Sequence, residues 1–205
     1  MKVAVYLNYV GLGSNLLHLA YCHQIADKYG PVTVISLCKV LQQALVGDPK
    51  IKEVITIDQK YKTFFSIFKI SKILKNKNFD KIFIYYPSYR TQFAAKFASI
   101  KEVYYYPAAD KKELHLVKHA KFYTEKWLKI NNCKTETSIY VDPVKLNSAT
   151  KSLKIDRKNI VLGVGSSGPT TKWGVKNYIE LAKKLNLSSK NYFHILCGPT
   201  ETDLA

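Results

Sequence analysis

The chain has 205 residues, enough for one well-buried core or for one domain and part of a second. Hydrophobic residues make up 47% and charged residues 23%, a balance typical of a globular protein that excludes a disordered chain. The formal net charge is +17, but only Arg90 and Arg157 are arginines, which disfavours a nucleic-acid-binding protein because arginine reads guanine and clamps phosphate. We expect a solvated basic surface, with attraction to phosphate-bearing substrates or acidic lipid head groups as the alternative.

Cysteine usage and targeting signals indicate the compartment. The chain contains no C-x-x-C pair among Cys22, Cys38, Cys133 and Cys197, so free thiols are expected rather than a zinc site or a disulfide framework. The amino-terminal apolar segment is interrupted early and has no small-residue cleavage site. No apolar run reaches the ~18 residues of a membrane span, and a cytoplasmic protein is therefore expected.

The first half of the chain alternates short apolar strands with helical patterns. Strands are predicted over 2–8, 32–37, 53–58, 80–86 and 102–107. Helices are predicted between the first glycine loop and Gly30, and then over 39–46, 61–76, 90–98 and 111–130. This alternation predicts an α/β fold, a doubly wound parallel sheet with helices on both faces. The aromatic residues after Pro87 are expected to pack in the core, with a stacking platform for a ligand as the alternative.

A polar stretch from Asn131 to Asn159 separates a second α/β unit from the first. We expect a linker there with at most one short strand. The second unit is predicted as a strand over 159–164, a helix over 175–187 and a strand over 192–198. The chain is thus divided into a domain over 1–145, a linker over 146–158 and a partial domain over 159–205. Two parallel strands and one helix cannot bury their own faces, so they either complete the first sheet or begin a second domain that continues beyond Ala205.

Two glycine-rich loops follow predicted strands. In the first, Gly11 and Gly13 form G-x-G, but Leu16 stands where the third glycine of a dinucleotide fingerprint belongs, and the second strand ends without a carboxylate for the ribose. A nicotinamide or flavin dinucleotide is therefore disfavoured. In the second, Gly163 and Gly168 have P-loop spacing. A Pro-Thr pair follows them where lysine and a hydroxyl must reach phosphate and magnesium, which excludes a Walker site.

The second loop, GSSGPTTKWG, nevertheless carries hydroxyls and Lys172 at the start of a helix. Hydroxyls, backbone N–H groups and a lysine are groups that bind a diphosphate. A plain strand-to-helix turn with capping serines is the alternative. On the long helix before the linker, His115 and His119 have i, i+4 spacing, but no third ligand is near in sequence. They are expected to be ordinary histidines, and neither a metal nor another cofactor is predicted.

Five segments carry a family resemblance through their order and spacing. They are GLGSNLLHLA, KIFIYYPSYRTQFAAKFA, HLVKHAKFYTEKWL, GVGSSGPTTKWGVKNYIELAKKL and FHILCGPTE. In this order they resemble glycosyltransferase family 9, the ADP-heptose:lipopolysaccharide heptosyltransferases. The resemblance covers nearly the whole chain, and its most specific part is the small-hydroxyl loop followed by K-W, a helix and G-P-x-E.

The resemblance implies a GT-B enzyme with two Rossmann-like domains facing a cleft. The first domain would bind a glycolipid or glycan acceptor through the loop of Gly11 and Gly13, and the second a nucleotide-sugar donor of the ADP-heptose type. The residues implied to hold the donor diphosphate are Ser166, Ser167, Thr171 and Lys172, and Glu201 would lie near the ribose. The reaction implied is inverting transfer, in which a base takes the proton of an acceptor hydroxyl while cations stabilise the departing diphosphate. A cytoplasmic location with peripheral contact at the inner membrane is expected.

The sequence departs from the family pattern in two places. The family's candidate base is an aspartate after the glycine loop, where this chain has Ser14, and a family proline is replaced by Ala20. A serine needs a neighbour to accept its proton, and His18 is one turn along, but a helix-capping role for Ser14 is favoured over catalysis. The family's later D-T-G-x-x-H stretch would lie beyond Ala205.

Three functions remain in competition on these grounds. The first is a family 9-like transferase acting on a lipopolysaccharide core or a related surface glycan. The second is a non-catalytic nucleotide- or glycan-binding relative that has lost the base. The third, a nucleic-acid-binding protein, rests on net charge alone, and no nucleic-acid partner is expected.

Overall fold

A computed structural model describes residues 1–58, 66–107, 115–165 and 172–198. The chain divides into two units, Met1–Asp142 and Pro143–Ala205. A five-stranded sheet lies in the first unit, and a separate two-stranded sheet lies in the second.

The sheet of the first unit is parallel throughout, as predicted. Its strands are β1 (Val3–Leu7), β2 (Val32–Ser36), β3 (Ile51–Thr56), β4 (Lys81–Ile84) and β5 (Glu102–Tyr105). They lie in the order β3-β2-β1-β4-β5. Every residue of β1 and β2 is buried, which explains why the central strands read as unbroken apolar runs rather than as an alternating pattern.

Helices cover both faces of this sheet. They are α1 (Leu12–Leu16), α2 (Leu19–Tyr29), α3 (Leu41–Ala44), α4 (Ser66–Lys77), α5 (Tyr89–Phe97) and α6 (Leu116–Leu128). One core layer joins Val3, Val5 and Leu7 of β1 to α2 and α6. The other joins the alternate β1 residues, Ala4 and Tyr6, to α4 and α5. The doubly wound α/β architecture is therefore confirmed.

Aromatic residues fill the layer beneath α6. Tyr85 and Tyr106 are fully buried, and both pack against the ring of Trp127. The Tyr85 hydroxyl donates to Thr124 Oγ1 at 2.5 Å, because the Thr124 hydroxyl itself donates to the carbonyl of Ala120. The expectation that the aromatic residues after Pro87 pack in the core is confirmed for Tyr106, Tyr123 and Trp127. It is wrong for Tyr89, Phe93, Phe97 and Phe122, which are exposed.

The second unit begins with a helix where a linker was expected. Its elements are α7 (Pro143–Ser152), β6 (Lys158–Gly163), α8 (Val175–Ser188) and β7 (Asn191–Leu196). The expectation of at most one short strand in the polar stretch is wrong, because proline at a first helical position favours a helix start. Strands β6 and β7 pair in parallel with each other and do not join the first sheet. The assignment of the two units to an acceptor side and a donor side stays a prediction.

All four cysteines are free thiols, as expected. Burial raises the pKa of Cys22 to about 12 and that of Cys133 to about 11, so both thiols stay protonated at neutral pH.

Among the helices of the described ranges, none is both long enough and apolar enough to pass through a bilayer.

Candidate functional site

The strand order of the first unit creates a topological switch point between β1 and β4. The chain leaves β1 toward the α2 and α6 layer, whereas it leaves β4 toward the α4 and α5 layer. Loops that diverge in this way leave a crevice at the carboxyl ends of the strands, which is the usual ligand position in open α/β sheets. The loop that contains Gly11, Gly13 and Ser14 follows β1 directly and therefore lies at this crevice.

Asn15 holds this glycine loop in place. Its side chain is buried, and its Nδ2 donates to the carbonyl oxygens of Tyr9 at 3.1 Å and Gly11 at 2.7 Å. The hydroxyl of Ser36, the last residue of β2, donates to Asn15 Oδ1 at 2.6 Å and accepts from the backbone N–H of Cys38. These bonds tie the loop after β1 to the end of the neighbouring strand, so the loop is pre-organised before any ligand binds.

The two glycines of the loop keep its surface open. A Cβ atom at Gly11 or Gly13 would meet no other atom within 4 Å, and neither residue has a positive φ. The backbone conformation therefore does not require glycine at these positions. The space in front of both glycines is what a closely approaching ligand needs.

Ser14 does not cap a helix, so the capping role that was expected for it is wrong. Helix α1 has Gly11 as its N-cap residue and α2 has His18, and neither cap makes a side-chain hydrogen bond. Ser14 is the third residue of α1 and is half-buried. Its carbonyl oxygen accepts a hydrogen bond from His18 Nδ1 at 2.7 Å. The contact between these two residues thus passes through the backbone and not through the serine hydroxyl.

His18 is a buried neutral imidazole. It stacks on Tyr9 with ring centroids 4.9 Å apart and meets the ring of Tyr85 edge-on. Burial lowers its pKa from 6.5 to about 4, although the hydrogen bond to Ser14 acts in the opposite direction. An imidazole with this pKa is a weak base at neutral pH, and its Nδ1 is already engaged. His18 is therefore unsuited to take a proton from Ser14.

Tyr9 bridges the two loops at the crevice. Its hydroxyl donates to the carbonyl of Tyr85 at 3.1 Å, and its ring meets that of Tyr86 edge-on at 5.7 Å. Burial raises the pKa of Tyr9, so the phenol stays protonated. Sequence reasoning missed Tyr9, Asn15 and Ser36 as site residues. A polar residue at the end of a strand next to the first would have been the signal for Ser36.

In the second unit, Lys172 and Trp173 lead into α8. Both are exposed, and Gly174, the N-cap residue of α8, has a φ of +92°. The hydroxyl of Tyr178 donates to the carbonyl of Gly163 at 2.9 Å. Its ring also meets that of Trp173 edge-on at 5.0 Å. The first turn of α8 is thereby fastened to the end of β6, and Lys172 stands just before a helix N-terminus.

The other residues of the implied donor site lie outside the described part of the chain. These are Ser166, Ser167, Thr171 and Glu201. Of the implied diphosphate ligands, the structure thus places Lys172, and the roles of all of them stay predictions.

The two histidines of the long helix have structural surroundings. His115 is the N-cap residue of α6, and its side chain accepts from the backbone N–H of Val117. His119 is buried with its ring 4.3 Å from that of Tyr106. Within the residues that the structure describes, no group of three or more His, Cys, Asp or Glu side chains is arranged to hold a metal ion.

No protein-family model matches the sequence, and a comparison with curated protein sequences gives no match. Solved structures do match. A glycosyl transferase family 9 structure from Veillonella parvula has a TM-score of 0.70 at 16% identity, covering 99% of this chain and 64% of that one. E. coli ADP-heptose LPS heptosyltransferase II has a TM-score of 0.65 at 16% identity, covering 100% of this chain and 66% of that one. E. coli heptosyltransferase WaaC with ADP-2-deoxy-2-fluoro heptose has a TM-score of 0.68 at 14% identity, covering 100% and 72%.

These likenesses show the fold. The chain has the α/β fold of GT-B glycosyltransferases, with a five-stranded parallel sheet in one unit and a parallel strand pair in the other. It spans 64% to 72% of the length of these three structures.

Proposed function

We propose that this chain is all or part of a glycosyltransferase that resembles family 9. It would transfer a heptose-like sugar from a nucleoside-diphosphate donor to a lipopolysaccharide core or a related surface glycan. The observation that carries the proposal is the structural similarity, at TM-scores of 0.65 to 0.70 and over essentially the whole chain, to three structures of this kind. The described part of the site is consistent with it, because a pre-organised loop lies at the switch point of the first sheet.

The donor is proposed to bind at the start of α8. A diphosphate carries negative charge that grows as the bond from the anomeric carbon to its oxygen breaks. The ammonium of Lys172 and the N-terminal N–H groups of α8 stabilise such charge. Ser166, Ser167 and Thr171 are proposed to donate to the same phosphates, and Glu201 to lie near the ribose. Among the matched structures, one was solved with ADP and another with an ADP-heptose analogue, which supports an adenine nucleotide as the first ligand to test.

The donor site is tested by titrating ADP into the chain in a calorimeter. Lys172→Ala should weaken binding about 10- to 100-fold, since a charge-assisted hydrogen bond contributes roughly 1.5–3 kcal/mol. Lys184→Ala is the matched control, because Lys184 is exposed on the same helix but about 15 Å along it from Gly174. Equal affinities for the parent and Lys172→Ala would remove the proposed diphosphate site.

The acceptor is proposed to bind at the loop of Gly11, Gly13 and Ser14. In inverting transfer the acceptor oxygen bonds to the anomeric carbon as the diphosphate leaves, and a base removes the acceptor proton. Ser14 lacks the basicity of a carboxylate, and His18 is buried with its pKa lowered to about 4. The base is therefore the open point of this proposal, and a binding protein without transfer activity is the second candidate function.

Restoring the family residue separates the two candidates. Ser14→Asp places a carboxylate in the first turn of α1, where the helix dipole favours negative charge by about 0.3–1 kcal/mol. The variant should therefore fold as well as the parent. Transfer or hydrolysis of an ADP-sugar is then measured for both proteins by release of ADP. A gain of several orders of magnitude indicates a transferase that has lost its base, while measurable release by the parent shows that its base lies elsewhere.

No activity in either protein, together with intact ADP binding, would favour the binding protein. Peripheral contact with the cytoplasmic side of the inner membrane belongs to the same proposal, because a glycolipid acceptor is held in a bilayer.

A further inference from the structure

The outer surface of α4 and α5 exposes aromatic side chains that a soluble protein normally buries. Tyr89, Phe93 and Phe97 recur every four residues on α5, and their exposures are 62%, 49% and 58%. Residues at this spacing share one stripe of a helix. On the neighbouring helix α4, Phe68 is 61% exposed and stacks on Phe97 with ring centroids 6.0 Å apart. The four rings therefore lie on one surface that spans both helices.

Positive charge surrounds these rings. Helices α4 and α5 together carry five lysines and one arginine and contain no aspartate or glutamate. Lys72, Lys75 and Lys96 are exposed among them. On the sheet, Glu53 of β3 forms an ion pair with Lys77 of α4. The surface therefore combines an apolar centre with exposed lysines.

We propose that this surface, the aromatic–lysine face (Phe68, Tyr89, Phe93, Phe97, Lys72 and Lys96), docks on an anionic lipid bilayer. The aromatic rings enter the boundary between head groups and acyl chains, while the lysine ammonium groups extend to the phosphates. Charge complementarity with acidic lipids identifies the partner, because each lysine near an anionic membrane strengthens binding.

Two other kinds of partner fit the surface less well. Protein interfaces are depleted in lysine and enriched in arginine, whereas the charged residues of the face are lysines and α4 and α5 together carry five lysines to one arginine. Nucleic-acid surfaces use arginine to contact phosphates and bases and do not need a cluster of exposed phenylalanines on a helix. A bilayer is the partner that uses both the apolar centre and the lysine surround.

The face also has a useful position. Helix α5 starts directly after the loop that leaves β4, so its Tyr89 end lies at the carboxyl edge of the sheet, where the crevice is. A bilayer on this face would present a lipid-linked acceptor beside that edge. In this respect the inference rests on the proposed function, but the docking itself can be tested without any sugar donor or acceptor.

The test is co-sedimentation of the full chain with vesicles. One set contains phosphatidylethanolamine with about a third phosphatidylglycerol, and the other contains neutral lipids alone. The parent should bind the anionic vesicles and not the neutral ones. Lys72→Gln with Lys96→Gln should weaken binding about 25-fold, because each lysine contributes about fivefold. Phe68→Gln with Phe97→Gln should weaken it about tenfold or more.

Matched control variants lie on the opposite side of the sheet, on α6. Lys118 and Lys126 are exposed there, and Phe122 is 53% exposed. Lys118→Gln with Lys126→Gln removes the same charge, and Phe122→Gln removes one ring of similar exposure. Both controls should bind vesicles within about twofold of the parent. Far-ultraviolet circular dichroism and thermal unfolding confirm that each variant is folded.

Four outcomes would overturn the proposal. They are equal binding to neutral and anionic vesicles, equal weakening by the α6 controls, unchanged binding in the phenylalanine variant, and no vesicle binding by the parent. Binding of a duplex oligonucleotide that the phenylalanine variant loses would assign the face to nucleic acid instead. Concentration-dependent self-association lost in that variant would assign it to a second copy.

ADP titration of the phenylalanine variant separates this inference from the proposed function. ADP affinity equal to that of the parent is expected, since the face lies in the first unit and Lys172 in the second. A parent that binds ADP but not vesicles overturns the docking inference alone. A parent that binds vesicles but not ADP overturns the donor site alone.

Discussion

Acidification should destabilise the first unit through His18. The imidazole is fully buried, donates from Nδ1 to the carbonyl of Ser14, and stacks on Tyr9. Burial lowers its pKa from 6.5 to about 4. Between these two values the unfolded chain binds a proton that the folded chain does not. The stabilisation is therefore fully present above about pH 6.5 and is lost as the pH falls toward 4.

The size of the effect follows from the two pKa values. Each pH unit in this window removes about 1.4 kcal/mol from the free energy of unfolding. The loss is about 2 kcal/mol at pH 5 and about 3 kcal/mol once the pH is below 4. That is a large share of the roughly 5–15 kcal/mol that holds an ordinary domain folded.

Urea unfolding at pH 7 and pH 5 measures this loss. The chain has two tryptophans, so in a Trp173→Phe background the fluorescence of Trp127, which packs on Tyr85, reports on the first unit. The comparison variant is His18→Asn, which keeps a donor near the Nδ1 position but does not titrate. The background protein should lose about 2 kcal/mol more than the His18→Asn variant between the two pH values. Other titrating groups are common to both proteins, so equal losses would refute the reasoning.

Four other substitutions test the packing and the glycine positions. Tyr106→Phe should leave the free energy of unfolding unchanged or raise it by up to ~1 kcal/mol, because among the described residues its buried hydroxyl has no hydrogen-bond partner. Tyr85→Phe should lower the free energy of unfolding by about 1–2 kcal/mol, because the substitution removes a buried hydrogen bond. Urea titrations in which Tyr106→Phe is the more destabilising substitution would contradict both tyrosine predictions. Gly13→Ala should not destabilise the chain, since the added Cβ meets open space within α1, and a thermal midpoint lowered by several degrees would contradict this. Gly174→Ala should destabilise the second unit by about 1–3 kcal/mol, because alanine is strained at the positive φ of this position. Amide hydrogen exchange should then become faster in α8 and stay unchanged in the first unit.

The elements of the first unit were predictable because they bury apolar faces. Strands such as β1 show an unbroken apolar run, and the helices that pack on them show apolar residues at helical spacing. Helix α7 was missed because its two large apolar residues, Val144 and Leu146, are two positions apart and so do not share one face of a helix. A helix without a core-facing stripe has no hydrophobic period to read, and its polar composition resembles that of a linker.

The glycine loop was predicted correctly as a loop between β1 and a helix, but the hydrogen bonds that hold it in place were not predicted. Asn15 and Ser36 are 21 residues apart, and their hydrogen bond depends on β2 lying beside β1. Local sequence patterns do not specify which strands are neighbours. The capping role for Ser14 failed for a similar reason: α1 begins at Leu12, so the N-cap position falls on Gly11.

This internal support limits what the loop can do chemically. The side chain of Asn15 is used to hold the backbone, and Nδ1 of His18 is used to hold the carbonyl of Ser14. A ligand at this loop would therefore contact mainly backbone groups, in the open space in front of Gly11 and Gly13. Such a loop can position an acceptor without supplying the base. A loop of this kind serves a binding protein unchanged, and it serves a transferase when a carboxylate is supplied, which is why Ser14→Asp discriminates between the two functions.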